Sequence, residues 1–482
     1  MNNPCRNKIV RHRIYRFVCF LLMCGFVWGC SPYRSRLNED MPAIPSAFQR
    51  QLEQSGQPAD RWWTLFDDSQ LNELMEEMFK NNLDLEAVCN RWRQFQAEYR
   101  IADSARKFKT TLSASATRER MTSFFGTETD NAFGLSAAAS YEVDLWNKLK
   151  AGSKAALLEV FATEADIEAL YISLAAEVGN LYFQIIESKQ QLLLLEQTIE
   201  SFQQALELVE NKYLQGVVSA LDMYQAQQNL ADAFAQKPGL EQELAIREHA
   251  LSILLGRYPQ IDCGGEKQEL PSVPPPVPVD LPATLLKQRP DIQAALLRFK
   301  ASDALIEAAV ADRFPSFKLS SAGGYIASEV SNLFQSDLLF WNLIGQITHP
   351  IIDGGKRKAE VERCKARYQE LLSNYRNVVL KAFQEVEDAL VKNQKREEEI
   401  KRLENLVEAS VNVLEISLYR YVQGLSDYLP VLMAQRNYYL SKRQLISSRR
   451  AVFSDRIELN RVLGGSWQQT VVNQRLEKMQ NE

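Results

Sequence analysis

The sequence predicts a mainly α protein with membrane β-strands, internally duplicated. Long coiled-coil helices would build a helical barrel, and each chain would add four strands to a shared transmembrane β-barrel. Three observations predict this. First, YLQGVVSALDMYQAQQN from Tyr213 returns 208 positions later as YVQGLSDYLPVLMAQRN from Tyr421. Second, about 68 residues from Lys356 to Gln423 contain neither Gly nor Pro. Third, four short segments alternate in polarity, the pattern of half-exposed strands.

The duplication keeps its register along the chain. Leu255-Gly256 falls on Leu463-Gly464, Lys148-x-Lys150-Ala151 falls on Lys356-x-Lys358-Ala359, and Asp84 and Ala87 fall on Asp291 and Ala294 at an offset of 207. A unit of that size is too long for a solenoid repeat of about 20–50 residues. Two similar lobes are expected, a first repeat over 61–270 and a second over 283–465, with a tail over 466–482.

Residues 1–29 have the layout of a signal peptide. Arg6, Lys8, Arg11, Arg13 and Arg16 precede the apolar run from Phe17 to Trp28, which ends at Gly29 before Cys30. The run is too short to span a bilayer. Val27, Gly29 and Cys30 resemble a lipobox, although bulky Trp28 departs from it. Cys30 is therefore the expected acceptor of a diacylglycerol and an N-acyl chain, the only covalent group or cofactor expected. Ser31 after it resembles the sorting pattern for the outer membrane. The Pro-punctuated residues 30–60 read as a tether.

Cleavage would remove five basic residues and take the net charge from −5 to −10, unlike a nucleic-acid-binding surface. Cys89, Cys263 and Cys364 are far apart and lack CxxC spacing, so they read as thiols rather than a disulfide framework or zinc site. After Trp28 no uncharged apolar stretch reaches the length of a transmembrane helix. Ile167–Ile186 comes nearest and carries Glu168 and Glu177.

Each repeat then reads in the same order. A first helix is expected over about Ser69–Lys107, with a counterpart over Pro282–Arg313. The period next changes to two. Leu112, Ala114 and Ala116 alternate with hydroxyl residues, and Phe133, Leu135, Ala137, Ala139 and Tyr141 share a face. In the second repeat Phe317, Leu319, Gly323 and Tyr325 share a face, before a segment over Leu338–Pro350. Polar loops are expected near Thr122–Asp130 and Ser328–Ser336. The two β-hairpins, about 109–143 and 315–350, would have strands of roughly 10 residues, the length a tilted membrane strand needs. Long helical hairpins follow, about 148–255 and 355–463. At 1.5 Å per residue a 68-residue helix is roughly 100 Å long. Leu195, Ile199, Phe202, Leu206, Val209 and Tyr213 step by four and three, the heptad spacing of a coiled coil. Gly216 and Gly424 end these helices and permit a tight reversal. The Pro-rich segment 271–282 is a stiff strap between the repeats.

Four strands cannot close a membrane barrel, and open edges in lipid leave backbone groups unsatisfied at several kcal/mol each. Two copies would supply eight strands, a barrel filled by its own side chains. Three copies, with twelve strands, are the smallest assembly with a lumen.

At this point the residues resemble the TolC-type outer-membrane efflux factor family, in its lipoprotein branch. Arg61–Val88, with Trp63, Phe66, Leu71, Asn82, Asp84 and Leu85, is similar to the family's opening signature. LLKQRPDIQAAL from Leu285 resembles the start of its second repeat, and YVQGLSDYLPVLMAQRN its second periplasmic tip. The resemblance implies a homotrimer in the cell outer membrane, lipid-anchored, with a large periplasmic portion. It implies a passive duct for small toxic compounds, docked to a periplasmic adaptor protein and a proton-driven inner-membrane pump. Tyr213, Gly216 and Asp222 on one tip, and Tyr421, Gly424, Asp427 and Tyr428 on the other, would form the entrance and docking surface. Two departures stand out. Phe108 replaces the proline that Pro315 supplies in the second repeat, and Pro430 and Met433 occupy tip positions usually polar or acidic.

Structural capping is the alternative reading of the tip residues, because a Tyr three before a Gly can staple a helical hairpin. IDGGKRK from Ile352 lacks the upstream Gly and following Ser/Thr of a phosphate loop. His249 and His349 have no acidic partners at metal spacing, and no nucleophile elbow accompanies any Ser, so the chain is not expected to be an enzyme. A channel for peptide or protein secretion, and a coiled-coil spacer lipoprotein without a pore, are the competing readings.

Overall fold

The computed structural model describes residues 33–35, 37, 61–124, 126–261, 265, 267–271, 289–464 and 467–481. The expected signal peptide, Cys30, most of the tether, Cys263 and the strap beyond Pro271 lie outside the described residues. A 3-10 turn over Trp62–Phe66 leads into α1 (Ser69–Asn81) and α2 (Leu83–Ser104). Strands β1 (Lys109–Ser123) and β2 (Gly126–Val143) precede α3 (Lys148–Leu214) and α4 (Ala220–Leu254). The second repeat runs α5 (Pro290–Ala311), β3 (Ser316–Ala327), β4 (Leu339–Thr348), α6 (Lys356–Val422) and α7 (Leu429–Leu463), and α8 (Trp467–Asn481) follows.

The duplication is legible in element lengths. α2 and α5 each have 22 residues, α3 and α6 each 67, and α4 and α7 each 35. The helix starts are matched too. The Asp144 carboxylate accepts from the Leu149 and Lys150 N–H groups at 3.1 and 2.7 Å. Asp353 accepts from Gly355 and Arg357 at 3.0 and 3.2 Å. Both carboxylates satisfy backbone donors that a helix N-terminus leaves without partners.

Two differences from the sequence reading have physical causes. The single helix expected from Ser69 breaks at Asn82, whose ψ of 126° is extended. Its side chain explains the break. Asn82 Oδ1 accepts the Leu85 N–H at 3.0 Å, capping α2, while its Nδ2 donates to the Leu254 carbonyl at 2.9 Å. The polar segment Thr122–Asp130 is mostly strand, and β1 and β2 have 15 and 18 residues, well beyond the expected length. The ladder continues to the pair Ser123↔Gly126, and the Thr residues before it fit a pleated, exposed surface.

One compact unit comprises the described residues of Trp92–Ala162 and Ala295–Tyr375, with Tyr33 and Leu37. It holds the sheet, a four-stranded antiparallel meander in the order β1-β2-β3-β4. Phe299, Ile306, Val361, Cys364, Tyr368 and Leu372 form its helical core, against which Tyr33 and Leu37 pack. Tyr33 Oη donates to Asp303 at 2.7 Å.

The other unit comprises the described residues of 61–91, Thr163–Ala294 and Arg376–Glu482. Trp63, Phe79 and Trp467 make mutual ring contacts at 4.8–5.5 Å between centroids. Buried Asp68 caps α1 through the Gln70 and Leu71 N–H groups and accepts from Tyr182 Oη at 2.9 Å. Leu195, Ile199, Phe202 and Leu240 form a core cluster with Tyr439, so the heptad stripe of α3 faces inward. One window of α3 is apolar enough to cross a membrane, but 61% of it is buried within the protein, which marks a core helix.

Candidate functional site

The two helical-hairpin tips lie in the second unit and are built alike. The Gly216 N–H donates to the Tyr213 carbonyl at 2.8 Å and the Val217 N–H to Lys212 at 2.9 Å. In the other tip, Gly424 donates to Tyr421 at 3.1 Å and Leu425 to Arg420 at 2.8 Å. This is the hydrogen-bond pair of a Schellman cap. It needs a left-handed residue, and Gly216 and Gly424 supply φ of 73° and 71°.

The tips pack on each other through Val209, Ala226, Tyr421, Tyr428 and Val431. Tyr421 and Tyr428 are each 2% exposed and meet edge to face at 5.4 Å. Burial, with the charge of Asp222 adding to it, pushes the Tyr421 phenol up to about 12. Burial likewise pushes Tyr428 up to about 12, with Tyr421 contributing. Both stay neutral at physiological pH. Lys212 Nζ donates to the carbonyls of Tyr421 and Val422 at 2.8 and 3.3 Å and sits 4.4 Å from the Tyr421 ring centroid. A cation on the last carbonyls of α6 also complements the helix dipole.

Packing separates the expected tip residues by exposure. Tyr421 and Tyr428 are core residues that staple the hairpins, because desolvating two rings outweighs leaving them at a solvent edge. Asp222 closes a capping box: its carboxylate accepts the Ser219 N–H at 3.1 Å, and its own N–H donates to Ser219 Oγ at 3.3 Å. Gly216 and Gly424 cap their helices. Tyr213 and Asp427 remain exposed. The sequence reading missed the apolar rim: Leu214, Val217 and Leu221 on one tip, and Leu425, Leu429 and Met433 on the other, are all at least half exposed. Leu and Val flanking a turn glycine, where loops are ordinarily polar, were the available signal.

In the first unit the register sorts the sheet into two faces. Rows Leu112↔Ala137↔Gly323↔Trp341 and Ala114↔Leu135↔Tyr325↔Leu339 lie on one face, with Tyr141↔Leu319 and Phe317↔Ile347 nearer the helices. The other face carries Ser113, Ser115, Ser136, Ser140, Ser320 and Asn342, with Glu142 opposite Lys318. Phe340 and Ile344 on β4 are apolar exceptions there. Leu112, Trp341, Leu343 and Ile347 are all more than 60% exposed, so the apolar face is uncovered within the protomer. Phe108, in place of the expected proline, stacks on Tyr141 at 4.6 Å. The Pro315 carbonyl accepts from Trp146 Nε1 at 2.8 Å. Lys148 and Arg357 both reach Asp312, at 2.7 and 2.9 Å, and fix the helix starts below the sheet.

Cys89 and Cys364 are buried, and burial pushes the Cys364 thiol up, away from thiolate reactivity. Among the described residues no cluster of His, Cys, Asp and Glu could hold a metal ion.

An apolar-faced sheet of membrane-length strands, joined in one chain to paired helical hairpins, defines a membrane-channel subunit. The outer membrane efflux protein signature matches residues 74–257 and 281–465, one match for each repeat. The chain belongs to that family. The cation efflux system protein CusC of Escherichia coli O6:H1 is 31% identical over 438 residues, covering 89% of this chain and 94% of that protein. The probable outer membrane lipoprotein SilC of Salmonella typhimurium is 28% identical over 412 residues, covering 84% and 88%. The solved structure of the outer-membrane channel OprN has a TM-score of 0.85 at 26% identity, covering 92% of this chain and all of that one. The fold is the TolC-type channel fold, and the protein is an outer-membrane efflux duct with its helical portion in the periplasm.

Proposed function

We propose that the chain works as a homotrimer, a passive duct that carries small toxic compounds out of the periplasm. One observation carries this reading. The sheet has an uncovered apolar face, and among the described residues β1 and β4 each pair on one side only. In lipid those edges must be paired, and three copies closing edge to edge give twelve strands around a lumen lined by the Ser-rich face. A periplasmic adaptor docks on the tips, with the apolar rim of Leu214, Val217, Leu425 and Leu429 supplying contact area and Tyr213, Asp222 and Asp427 its polar edge. A proton-driven inner-membrane pump supplies the energy. Purified protein should run as a heat-resistant trimer and conduct ions in planar bilayers; monomers without conductance would sink the reading.

Cys30 carries the lipid anchor in this proposal. Support comes from the lipobox, from the outer membrane lipoprotein SilC among the relatives, and from Tyr33, which sits against α5 in the unit that holds the sheet. Cys30→Ala should abolish palmitate labelling, and continued labelling would refute Cys30 as acceptor.

A further inference from the structure

The β1–β2 hairpin outruns the rest of the sheet. β3 leaves β2 at the pair Phe133↔Ala327, while β1 and β2 continue to Ser123↔Gly126. On the apolar face, the rows from Phe317↔Ile347 to Ala116↔Phe133 cover the β2 segment from Val143 to Phe133. Ten steps of about 3.3 Å make roughly 33 Å along the strand, or about 25 Å of height at a membrane tilt near 40°. That height equals the apolar band of a membrane barrel, so the band ends at Ala116 and Phe133.

The next two rows on the same face are Arg118↔Asn131 and Arg120↔Thr129. Both arginines are exposed. The acidic pair Glu119↔Asp130 lies between them in sequence and therefore on the opposite face. Charge is thus sorted across the ribbon. Two guanidiniums follow directly on the lipid-facing band, and the paired Glu119 and Asp130 take the lumen side. The first arginine sits about 5 Å above the last apolar row, at headgroup depth.

We infer that Arg118 and Arg120 form a binding surface for the phosphate groups of anionic glycolipid in the outer leaflet of the outer membrane. The planar, always charged guanidinium suits bidentate phosphate contact, and its alkyl stem extends the apolar band beneath it. The inference rests on insertion of the sheet as proposed above. It adds that the outward end of the hairpin is held by lipid and not only solvated.

The test uses the full chain purified in mild detergent from outer membranes, with bound phosphorylated glycolipid quantified per protomer. Wild type should retain at least one molecule. Arg118→Gln/Arg120→Gln should retain about thirtyfold less, since two basic residues at a membrane surface are lost and each contributes about fivefold. Arg118→Lys/Arg120→Lys should fall between, and Glu119→Gln/Asp130→Asn should match wild type. In a second arm, wild-type protein in phosphatidylcholine vesicles should bind added glycolipid and lose about thirtyfold in affinity when the phosphates are removed. Equal retention by the glutamine variant, or equal binding of dephosphorylated glycolipid, would overturn the inference. A heat-resistant wild-type trimer in the same samples reports insertion separately, so failure of the underlying assembly is distinguishable.

Discussion

Two residues show how local environment sets stability. Burial, with Glu164 adding repulsion, raises Glu168 from the ordinary 4.5 to about 7. The folded chain then keeps a proton that the unfolded chain releases, so stability falls as pH rises from about 4.5 to about 7. Solvent still reaches this carboxylate, which limits the effect to about 1–2 kcal/mol. Glu168→Gln should raise the melting temperature by a few degrees at pH 8 and leave it unchanged at pH 4; an equal shift at both values would refute the assignment. Gly324 makes a steric case. A Cβ there would lie 2.2 Å from the Leu135 carbonyl oxygen and 2.6 Å from Ser136 Cα, both backbone, whereas at Gly323 the nearest atom is 3.5 Å away. Gly324→Ala should force β3 off β2 and cost more than about 2 kcal/mol, lowering the yield of heat-resistant trimer. Gly323→Ala should assemble normally. The sequence reading placed Gly323 in a strand, but which glycine admits a side chain depends on cross-strand register.

At the scale of elements, the two long hairpins were legible because their helices run almost without Gly or Pro, and the tip glycines share a backbone need. For Tyr421 stapling and docking both stayed open, and the roles of Tyr428 and Asp222 were not legible. Tyr421 repeats Tyr213 at 208-residue spacing, whereas Tyr428 and Asp222 fall opposite Ala220 and Pro430, and only packing shows which of these faces a partner and which the neighbouring hairpin. The break at Asn82 was hidden for a similar reason, since its side chain is committed to the distant Leu254 carbonyl. Lys212 is the element-scale contact most open to test. It joins the end of α3 to the last carbonyls of α6, a partly exposed charge-assisted contact of about 1 kcal/mol. Lys212→Met should let the tips open more often, with amide exchange at Val217 and Leu425 about fivefold faster. Unchanged exchange would show that the Tyr421–Tyr428 cluster alone holds the tips.

At the scale of the whole molecule, the duplication gives each chain two near-equivalent helical hairpins, while among the described residues the strands of both repeats join in one continuous sheet, because β2 pairs with β3 across the repeats. The alternating segments predict two β-hairpins per chain, and the Phe133–Val143 ladder to β3 joins them into one sheet. The consequence concerns the edges. In an antiparallel edge strand, alternate N–H groups point away from the sheet and exchange freely unless another strand covers them. In the assembled protein the edge residues of β1 from Thr110 to Ala116, and of β4 from Phe340 to Ile347, should therefore be protected from hydrogen exchange as strongly as β2 and β3. Protein dissociated to monomers in detergent should lose that protection at alternate positions of β1 and β4 while the shared β2–β3 ladder keeps it. Fast exchange at both edges of the assembled protein would mean that the sheet stays open, which a lipid environment does not tolerate, and closure between copies would then have to be abandoned.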